Sequence, residues 1–504
     1  MIRKEAFFKD ITEGYNTKGD YLVFGSAMLE GETIENAFVK VPLKTLNRHG
    51  LIAGATGTGK TKSLQVMAEN LSLKGIPSLL MDIKGDLSGL AQPSLGHPKI
   101  DERHAAIGLP FEACKFPVEI LTISEQDGVR LRATVSEFGP VLLSRILNLS
   151  DAQSGIVSVI FKYCDDNKLP LLDLKDFRKV LQFANEEGKE EIQSEYGLIS
   201  VASTGAILRK IVELDQQGGD LFFGERSFDV QDLVRRDDEG KGIISILRLT
   251  DIQDKPQLFS TFMLQLLAEI YSTFPEQGDS GKPELVIFID EAHLIFKEAS
   301  KALLSQIESI VKLIRSKGIG LFFVTQNPND VPDDVLGQLG LKVQHALRAF
   351  TAKDRKAIKL AAENYPISEY YDVDETLTKL GIGEAFVSAL NEKGIPTPLA
   401  CTMMRAPMSR MDILTDYELK QLIKASRIYD KYNETIDRES AYEILAKKIK
   451  KINEKENVEE RKKEVMKSKS STSQRKSTRM NPILKVVTSA TFIRGILGIL
   501  KRVI

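Results

Sequence analysis

The segment Gly54-Ala55-Thr56-Gly57-Thr58-Gly59-Lys60-Thr61 constrains this chain more than any other feature, because it matches the pattern G-x-x-x-x-G-K-[ST]. Apolar residues 50–53 precede it and predict a buried strand, and residues 60–73 have the spacing of a helix. Glycines allow a tight turn in which successive N–H groups point into one concavity, and the helix N-terminus adds positive potential there. The sequence therefore predicts a phosphate-binding loop within an α/β fold.

The chemistry of this loop indicates ATP and Mg²⁺ as cofactors. Lys60 supplies a positive charge for the β- and γ-phosphates, and Thr61 supplies a hydroxyl for the metal ion. The alternative is a chance match in a glycine-rich turn, which the flanking strand and helix argue against. The predicted ATP-binding residues are Gly54, Ala55, Thr56, Gly57, Thr58, Gly59, Lys60, Thr61 and Lys62.

A second candidate feature is the acidic pair Asp290-Glu291, which ends an apolar strand that begins at Leu285. A carboxylate at the carboxyl end of a parallel strand lies at the same sheet edge as the phosphate-binding loop. We expect Asp290 to hold Mg²⁺ and Glu291 to act as the base toward the attacking water. The alternative is an acidic end of a strand without a catalytic role.

Two further polar residues follow the next helix and strand. Gln326 comes after the apolar strand 320–325, and its amide can both donate and accept hydrogen bonds between a γ-phosphate and water. Arg315 ends a helix, where it can neutralise transition-state charge if a neighbouring subunit presents it. The alternatives are a polar strand end for Gln326 and a surface arginine at a helix C-terminus for Arg315. The bare sequence favours the surface role for Arg315.

Two charged segments remain open between a functional and a solvated role. Asp82-Ile83-Lys84-Gly85-Asp86 follows another apolar strand and can line the nucleotide site, a central channel or solvent. Residues 348–356 are basic and can contact phosphates, although a solvated helix start is the favoured interpretation.

The overall composition is that of a globular protein with little net charge. The chain has 504 residues, with 69 basic and 70 acidic side chains, so nucleic acid would require a local basic surface. Cys114, Cys164 and Cys401 are too widely spaced for a disulfide framework or a paired metal site. The N-terminus lacks the apolar stretch of a signal peptide, and no apolar run reaches the ~18 residues of a membrane helix. These features predict a cytoplasmic protein.

The order of apolar strands and helices predicts an α/β core with a mostly parallel sheet, interrupted by helices. The predicted divisions are a short β-rich N-terminal region (1–48), the first part of the ATPase core (49–137), a helical insertion (138–220), the second part of the core (221–414), a helical extension (415–446), a charged linker (447–480) and an amphipathic C-terminal helix (481–504).

These motifs together resemble the HerA–FtsK superfamily of P-loop ATPases, and in particular its YjgR-like bacterial branch. The similarity includes the segments 47–50, 82–90, 138–145 and 493–498, and it covers most of residues 20–405. The resemblance implies a RecA-like core in a hexameric ring that pumps or unwinds DNA. It also implies that Asp290-Glu291 is the Walker B motif, Gln326 a γ-phosphate sensor and Arg315 an arginine finger acting in trans.

Partners other than DNA stay open. Residues 483–504 are apolar and basic without an acidic residue, which suits a membrane surface or a protein partner, although packing on the protein itself is favoured. The main alternative function is a nucleotide-dependent switch or assembly ATPase that acts on a protein without translocation. A kinase is a weaker alternative, because Glu291 beside Asp290 favours water as the acceptor.

Overall fold

One twelve-stranded sheet organises the described residues of this computed structural model, which are 2–470 without 253, 279, 299–300, 435 and 437. The chain falls into two units, Met1–Ile444 and Leu445–Ile504. The sheet belongs to the first unit. Its strands are β1 (Tyr21–Leu29), β2 (Glu32–Pro42), β3 (Gly50–Ala53), β4 (Ser78–Asp82), β5 (Val118–Thr122), β6 (Val129–Arg130), β7 (Ile244–Arg248), β8 (Leu285–Ile289), β9 (Ile319–Thr325), β10 (Leu341–His345), β11 (Glu384–Ser388) and β12 (Ala400–Met404).

Helices connect these strands and continue after the last one. They are α1 (Ile2–Gly14), α2 (Lys60–Leu73), α3 (Pro98–Ile107), α4 (Val135–Ile146), α5 (Asp151–Asp166), α6 (Leu174–Asn185), α7 (Lys189–Tyr196), α8 (Val201–Gln216), α9 (Gly219–Phe222), α10 (Pro256–Thr273), α11 (His293–Glu298), α12 (Lys301–Ile314), α13 (Asp333–Leu336), α14 (Ala352–Ala362), α15 (Val373–Lys379), α16 (Asp416–Lys424), α17 (Tyr429–Asn433) and α18 (Ala441–Ser470). Among the described helices, none has the length and hydropathy needed to cross a bilayer.

The sheet order is β2-β1-β12-β11-β10-β3-β9-β8-β4-β7-β5-β6, and all pairs from β10 to β6 are parallel. Every residue of β3, β4, β8 and β9 is buried, as expected for strands that are covered by helices on both faces. The predicted α/β fold with a mostly parallel, RecA-like sheet is confirmed, and the carboxyl ends of β3, β9 and β8 meet at one edge.

The N-terminal strands are part of this same sheet. Strand β1 pairs antiparallel with β12, which pairs antiparallel with β11, so β1 and β2 extend the core sheet at one side. Helix α1 precedes them and was not anticipated in a region that the sequence predicted as β-rich. Helices α4 to α9 follow one another between β6 and β7, which agrees with the helical segment predicted there. The exact divisions of the chain stay predictions.

Of the C-terminal unit, the structure describes residues 445–470, which belong to helix α18 (Ala441–Ser470). Most side chains from 451 to 463 are exposed, which fits their high charge. The predicted amphipathic helix 481–504, including the apolar and basic stretch 483–504, lies outside the described residues.

Candidate functional site

The glycine-rich loop connects the end of β3 to helix α2, as the sequence predicted. Gly57 and Gly59 have φ values of 77° and 117°, a region that L-residues rarely adopt. A Cβ atom on Gly59 would also lie 3.2 Å from the backbone nitrogen of Gly383. Helix α2 begins directly after Gly59, so its first N–H groups, which have no intrahelical acceptor, border the loop.

Hydrogen bonds hold this loop to two neighbouring strand ends. The Gly54 N–H donates to the Thr325 carbonyl (3.2 Å), and the Ala55 N–H donates to the Ala346 carbonyl (2.8 Å). The Lys60 Nζ donates to the carbonyl oxygens of Gly54 (2.6 Å) and Ala55 (3.1 Å), so its ammonium lies inside the loop. Burial lowers the pKa of Lys60, and the nearby charge of Lys84 adds to this effect.

Asp290 and Glu291 follow β8, which is separated from β3 by β9 alone. Asp290 is 4% exposed, and burial raises its pKa to about 6. Glu291 has a φ of 45°, which lies in the left-handed region that non-glycine residues rarely adopt. Both predicted Walker B carboxylates therefore lie at the sheet edge that carries the loop.

Lys84 makes an ion pair with Glu291 that the sequence did not reveal. The Lys84 Nζ lies 2.6 Å from Glu291 Oε1, and His293 Nδ1 lies 3.1 Å from Oε2 of the same carboxylate. Burial alone would raise the pKa of Glu291, but the bond and charge of Lys84 hold it below its usual value. The structure thus keeps this carboxylate ionised, which is the form that a general base requires.

Asp82 explains how Lys84 reaches that position. Its carboxylate accepts the backbone N–H groups of Gly85 (2.7 Å), Asp86 (3.3 Å) and Leu87 (3.2 Å), which folds the loop after β4 into a tight turn. Strand β4 pairs with β8, so the turn projects Lys84 toward Glu291. Of the three roles left open for this loop, which are the nucleotide site, a central channel and solvent, the structure supports contact with the candidate site.

A buried histidine lies beneath the loop. His345 ends β10 and is fully buried, with Nε2 2.8 Å from Ser63 Oγ on α2 and Nδ1 2.9 Å from the Glu384 carbonyl. Burial lowers its pKa to about 4, so the ring is neutral at physiological pH. No local pattern marks this residue, because its partners come from two distant parts of the chain.

Gln326 and Arg315 lie at opposite ends of β9. Gln326 follows the strand directly and is exposed at the edge that carries the loop. Arg315 precedes the strand, so the seven residues of β9 separate it from that edge by about 20 Å. Arg315 lines a cavity of about 380 Å³ together with the cationic side chains of Lys44, Arg48 and Lys312. The structure therefore does not bring Arg315 to the loop of its own chain.

Comparison with known proteins decides the family. The family model described as helicase HerA-like C-terminal matches residues 27–498. The chain belongs to the HerA-like helicase family. One relative, the DNA double-strand break repair helicase HerA of Sulfolobus acidocaldarius, is 24% identical over 387 residues, which cover 75% of this chain and 69% of that protein.

Other similar proteins include the DNA import protein CedB of the same organism, which is 25% identical over 303 residues and covers 59% of this chain and 44% of CedB. The unbound monoclinic form of the bacterial conjugative coupling protein TrwBdeltaN70 superimposes with a TM-score of 0.51 at 15% identity, covering 81% of this chain and 94% of that one. That likeness agrees with the RecA-like fold of this HerA-like chain.

A cavity of about 460 Å³ borders the first turn of α2 in this HerA-like core. Gly59 and Lys62 line it on the loop side, and Lys62 Nζ donates to the Met411 carbonyl (2.5 Å). Arg103 lines the other side and donates to the Gly383 carbonyl (3.0 Å), which fixes the segment that contacts Gly59. Lys62 follows the motif directly in sequence and was predicted, whereas Arg103 on α3 approaches the loop only through the tertiary fold and could not be predicted from local pattern.

Proposed function

We propose that this chain is a Mg²⁺-dependent ATPase whose nucleotide site is the loop 54–61. One observation carries the proposal: the loop with its inward-pointing Lys60 shares a sheet edge with the buried carboxylates of Asp290 and Glu291. Phosphate binding requires the first feature, and hydrolysis requires the second. The cavity beside Lys62 is large enough to take the nucleoside end of ATP.

The residues present fit a magnesium nucleotide. The hydroxyl of Thr61 and the carboxylate of Asp290 are oxygen ligands of the kind that Mg²⁺ prefers, and we assign the metal to them. When bound, the metal neutralises charge on the phosphate oxygens. Glu291 accepts the proton of the attacking water, Lys60 contacts the phosphates, and Gln326 senses the γ-phosphate from the end of β9.

Arg315 completes a neighbouring site in this proposal. Because about 20 Å separate the two ends of β9, its guanidinium serves the nucleotide of the next subunit in a head-to-tail ring. A homo-hexamer fits this arrangement and is the assembly we propose. The relatives named as HerA helicase and DNA import protein support DNA as the substrate of a translocating motor.

A nucleotide-dependent switch that acts on a protein partner is the second candidate. It is favoured by the net charge of −1, which gives the whole protein no field that attracts a polyanion. A motor shows ATP turnover that rises with DNA and falls steeply with salt, whereas the switch shows neither effect.

The ATPase assignment is tested with Glu291→Gln, which keeps the volume of the side chain and removes the base. We expect this variant to bind ATP with unchanged affinity but to hydrolyse it about 100-fold more slowly. Lys60→Ala is the matched control, since it should lose most of its ATP affinity. Phosphate release and equilibrium binding of a labelled ATP are the measurements, and normal turnover by Glu291→Gln would refute the assigned base.

A further inference from the structure

An exposed surface that begins just before α14 and continues along the helix combines an aromatic ring with several cations, of which Arg348 donates to the carbonyl oxygens of Thr378 (2.9 Å) and Leu380 (3.4 Å). We define the α14 surface by Arg348, Phe350, Lys353, Arg355, Lys356 and Lys359, all of which are exposed. It follows β10, whose carboxyl end lies at the same sheet edge as the nucleotide loop. From the sequence alone, this basic run can either contact phosphates or be a solvated helix start.

Cations outnumber acids on this surface, and the nearest exposed acid after it is Glu363, one turn beyond Lys359. Among the described residues, no carboxylate forms an ion pair with Arg355, Lys356 or Lys359, which share one side of the helix. Asp354, the single acid between residues 348 and 359, is directed to the backbone, where it accepts the N–H groups of Phe350 (3.0 Å) and Thr351 (2.7 Å). A chain with a net charge of −1 thus presents a local polycationic face.

Phe350 is exposed to 88% at the turn that leads into the helix. The opposite side of α14 is anchored, since Ile358 and Ala361 are buried in a cluster with Leu347 and Phe386. The backbone on both sides of the phenyl ring is therefore anchored to the core. An aromatic ring beside a row of cations suits a single-stranded nucleic acid, whose bases stack on the ring while its phosphates contact the cations. Duplex DNA offers no free base face to that ring.

Two contacts connect the α14 surface to the nucleotide site. The Asn329 side chain, in the loop that begins with Gln326, donates to the Ala357 carbonyl of α14 (3.3 Å). On the other side, the Ala346 carbonyl accepts the N–H of Ala55 in the nucleotide loop (2.8 Å), and Phe350 is four residues further along the chain. A fully extended chain of four residues spans at most about 14 Å, so the Phe350 end of the surface lies near the nucleotide loop.

We propose that the α14 surface binds the backbone and bases of a single-stranded nucleic acid. This proposal rests on the proposed function, in which the protein acts on nucleic acid, and it adds the surface that contacts the nucleic acid. The link through Asn329 places that surface next to the loop that we assign to γ-phosphate sensing.

Binding of a fluorescein-labelled oligodeoxythymidine to the full chain, followed by anisotropy at several salt concentrations, tests this proposal. Arg355→Glu/Lys356→Glu should weaken binding at least tenfold and lower the slope of log affinity against log salt by about 1.4, the value for two lost phosphate contacts to a single strand. Phe350→Ala should weaken binding roughly 5- to 150-fold and leave the slope unchanged, because it removes stacking and no charge.

Matched controls change the same chemistry elsewhere. Lys175→Glu/Lys189→Glu makes an equal charge change at two exposed lysines between β6 and β7, and Tyr417→Ala removes an aromatic side chain that is 73% exposed on α16. Both controls should bind the oligonucleotide as the wild type does. A duplex of the same length should bind more weakly and should respond little to Phe350→Ala.

Three results would overturn the proposal. In the first, the wild type shows no binding at low salt, and in the second, the α14 variants bind with affinities within twofold of the wild type. In the third, the variants bind more weakly only because their assemblies have fallen apart into smaller ones. The last result would identify the surface as a contact between subunits. ATP hydrolysis by the wild type is measured in parallel. Turnover with no effect of the α14 variants on binding would refute this surface alone, whereas absence of turnover would refute the proposed ATPase.

Discussion

Mixing two inactive variants tests whether Arg315 acts on the neighbouring subunit. Lys60→Ala removes the ammonium that lies inside the nucleotide loop, and Arg315→Ala removes the guanidinium at the opposite end of β9. Each variant alone should have no ATPase activity above background. In a mixed ring, however, an intact Lys60 of one subunit can face an intact Arg315 of the next subunit.

The expected recovery follows from counting interfaces. In rings assembled at random from equal amounts, half of the subunits keep Lys60, and half of their neighbours keep Arg315. About one quarter of the interfaces in a head-to-tail ring are then complete. If sites work independently, the mixture should reach about one quarter of the wild-type rate. If Arg315 served its own chain, no subunit of the mixture would have both residues, and the rate would stay at zero.

The assay is steady-state phosphate release after the two variants are co-expressed with different tags and purified through both tags. Mass measurement confirms that mixed rings have formed. The negative control is Lys60→Ala mixed with the double variant Lys60→Ala/Arg315→Ala, which assembles from the same parts but contains no intact Lys60. Absence of recovery in verified mixed rings would refute action in trans, and so would full activity of Arg315→Ala alone.

Two further predictions concern residues whose contacts only the structure identified. Lys84→Met should lower kcat about tenfold and move the acidic limb of the pH–rate profile to higher pH, because Glu291 loses the ion-pair partner that lies 2.6 Å away. The control Lys84→Arg keeps the positive charge and should retain most activity. An acidic limb that does not move in Lys84→Met would contradict this role of Lys84. Burial lowers the pKa of His345 from 6.5 to about 4, so the stability it contributes is complete above pH 6.5 and is lost as pH falls toward 4. We expect urea titrations to show that, between pH 7.5 and 5.5, the free energy of unfolding of the wild type falls by about 1.4 kcal/mol more than that of His345→Gln. If the two proteins lost the same free energy of unfolding over this range, His345 would not be a buried neutral ring.

The sequence predicted the features that depend on neighbouring residues. The glycine pattern determined the loop 54–61, and helix α2 and strand β3 have the predicted bounds, because an uninterrupted apolar run and helical spacing are local signals. The same reasoning located β4 and β5. The roles assigned to Asp290, Glu291, Gln326 and Arg315 remain predictions that the proposed experiments test.

Local sequence patterns did not predict which strands pair with one another over long distances in the chain. Strands β10, β11 and β12 and the antiparallel side of the sheet were not predicted, although β10 lies directly beside β3. Helix α1 was also missed. Strand pairing depends on which distant segments meet, and a single sequence contains no direct signal of that choice.

The sequence by itself determined that the chain has a phosphate-binding loop and acidic residues at the end of a buried strand, since both follow from side-chain and backbone preferences over a few residues. Only the tertiary structure decided what surrounds them. It brought Lys84 to Glu291 because β4 pairs with β8, and it left Arg315 at the far end of β9 because parallel strands align their carboxyl ends at one edge. The direction of the strands thus determines which charges can act within one chain and which require a neighbour.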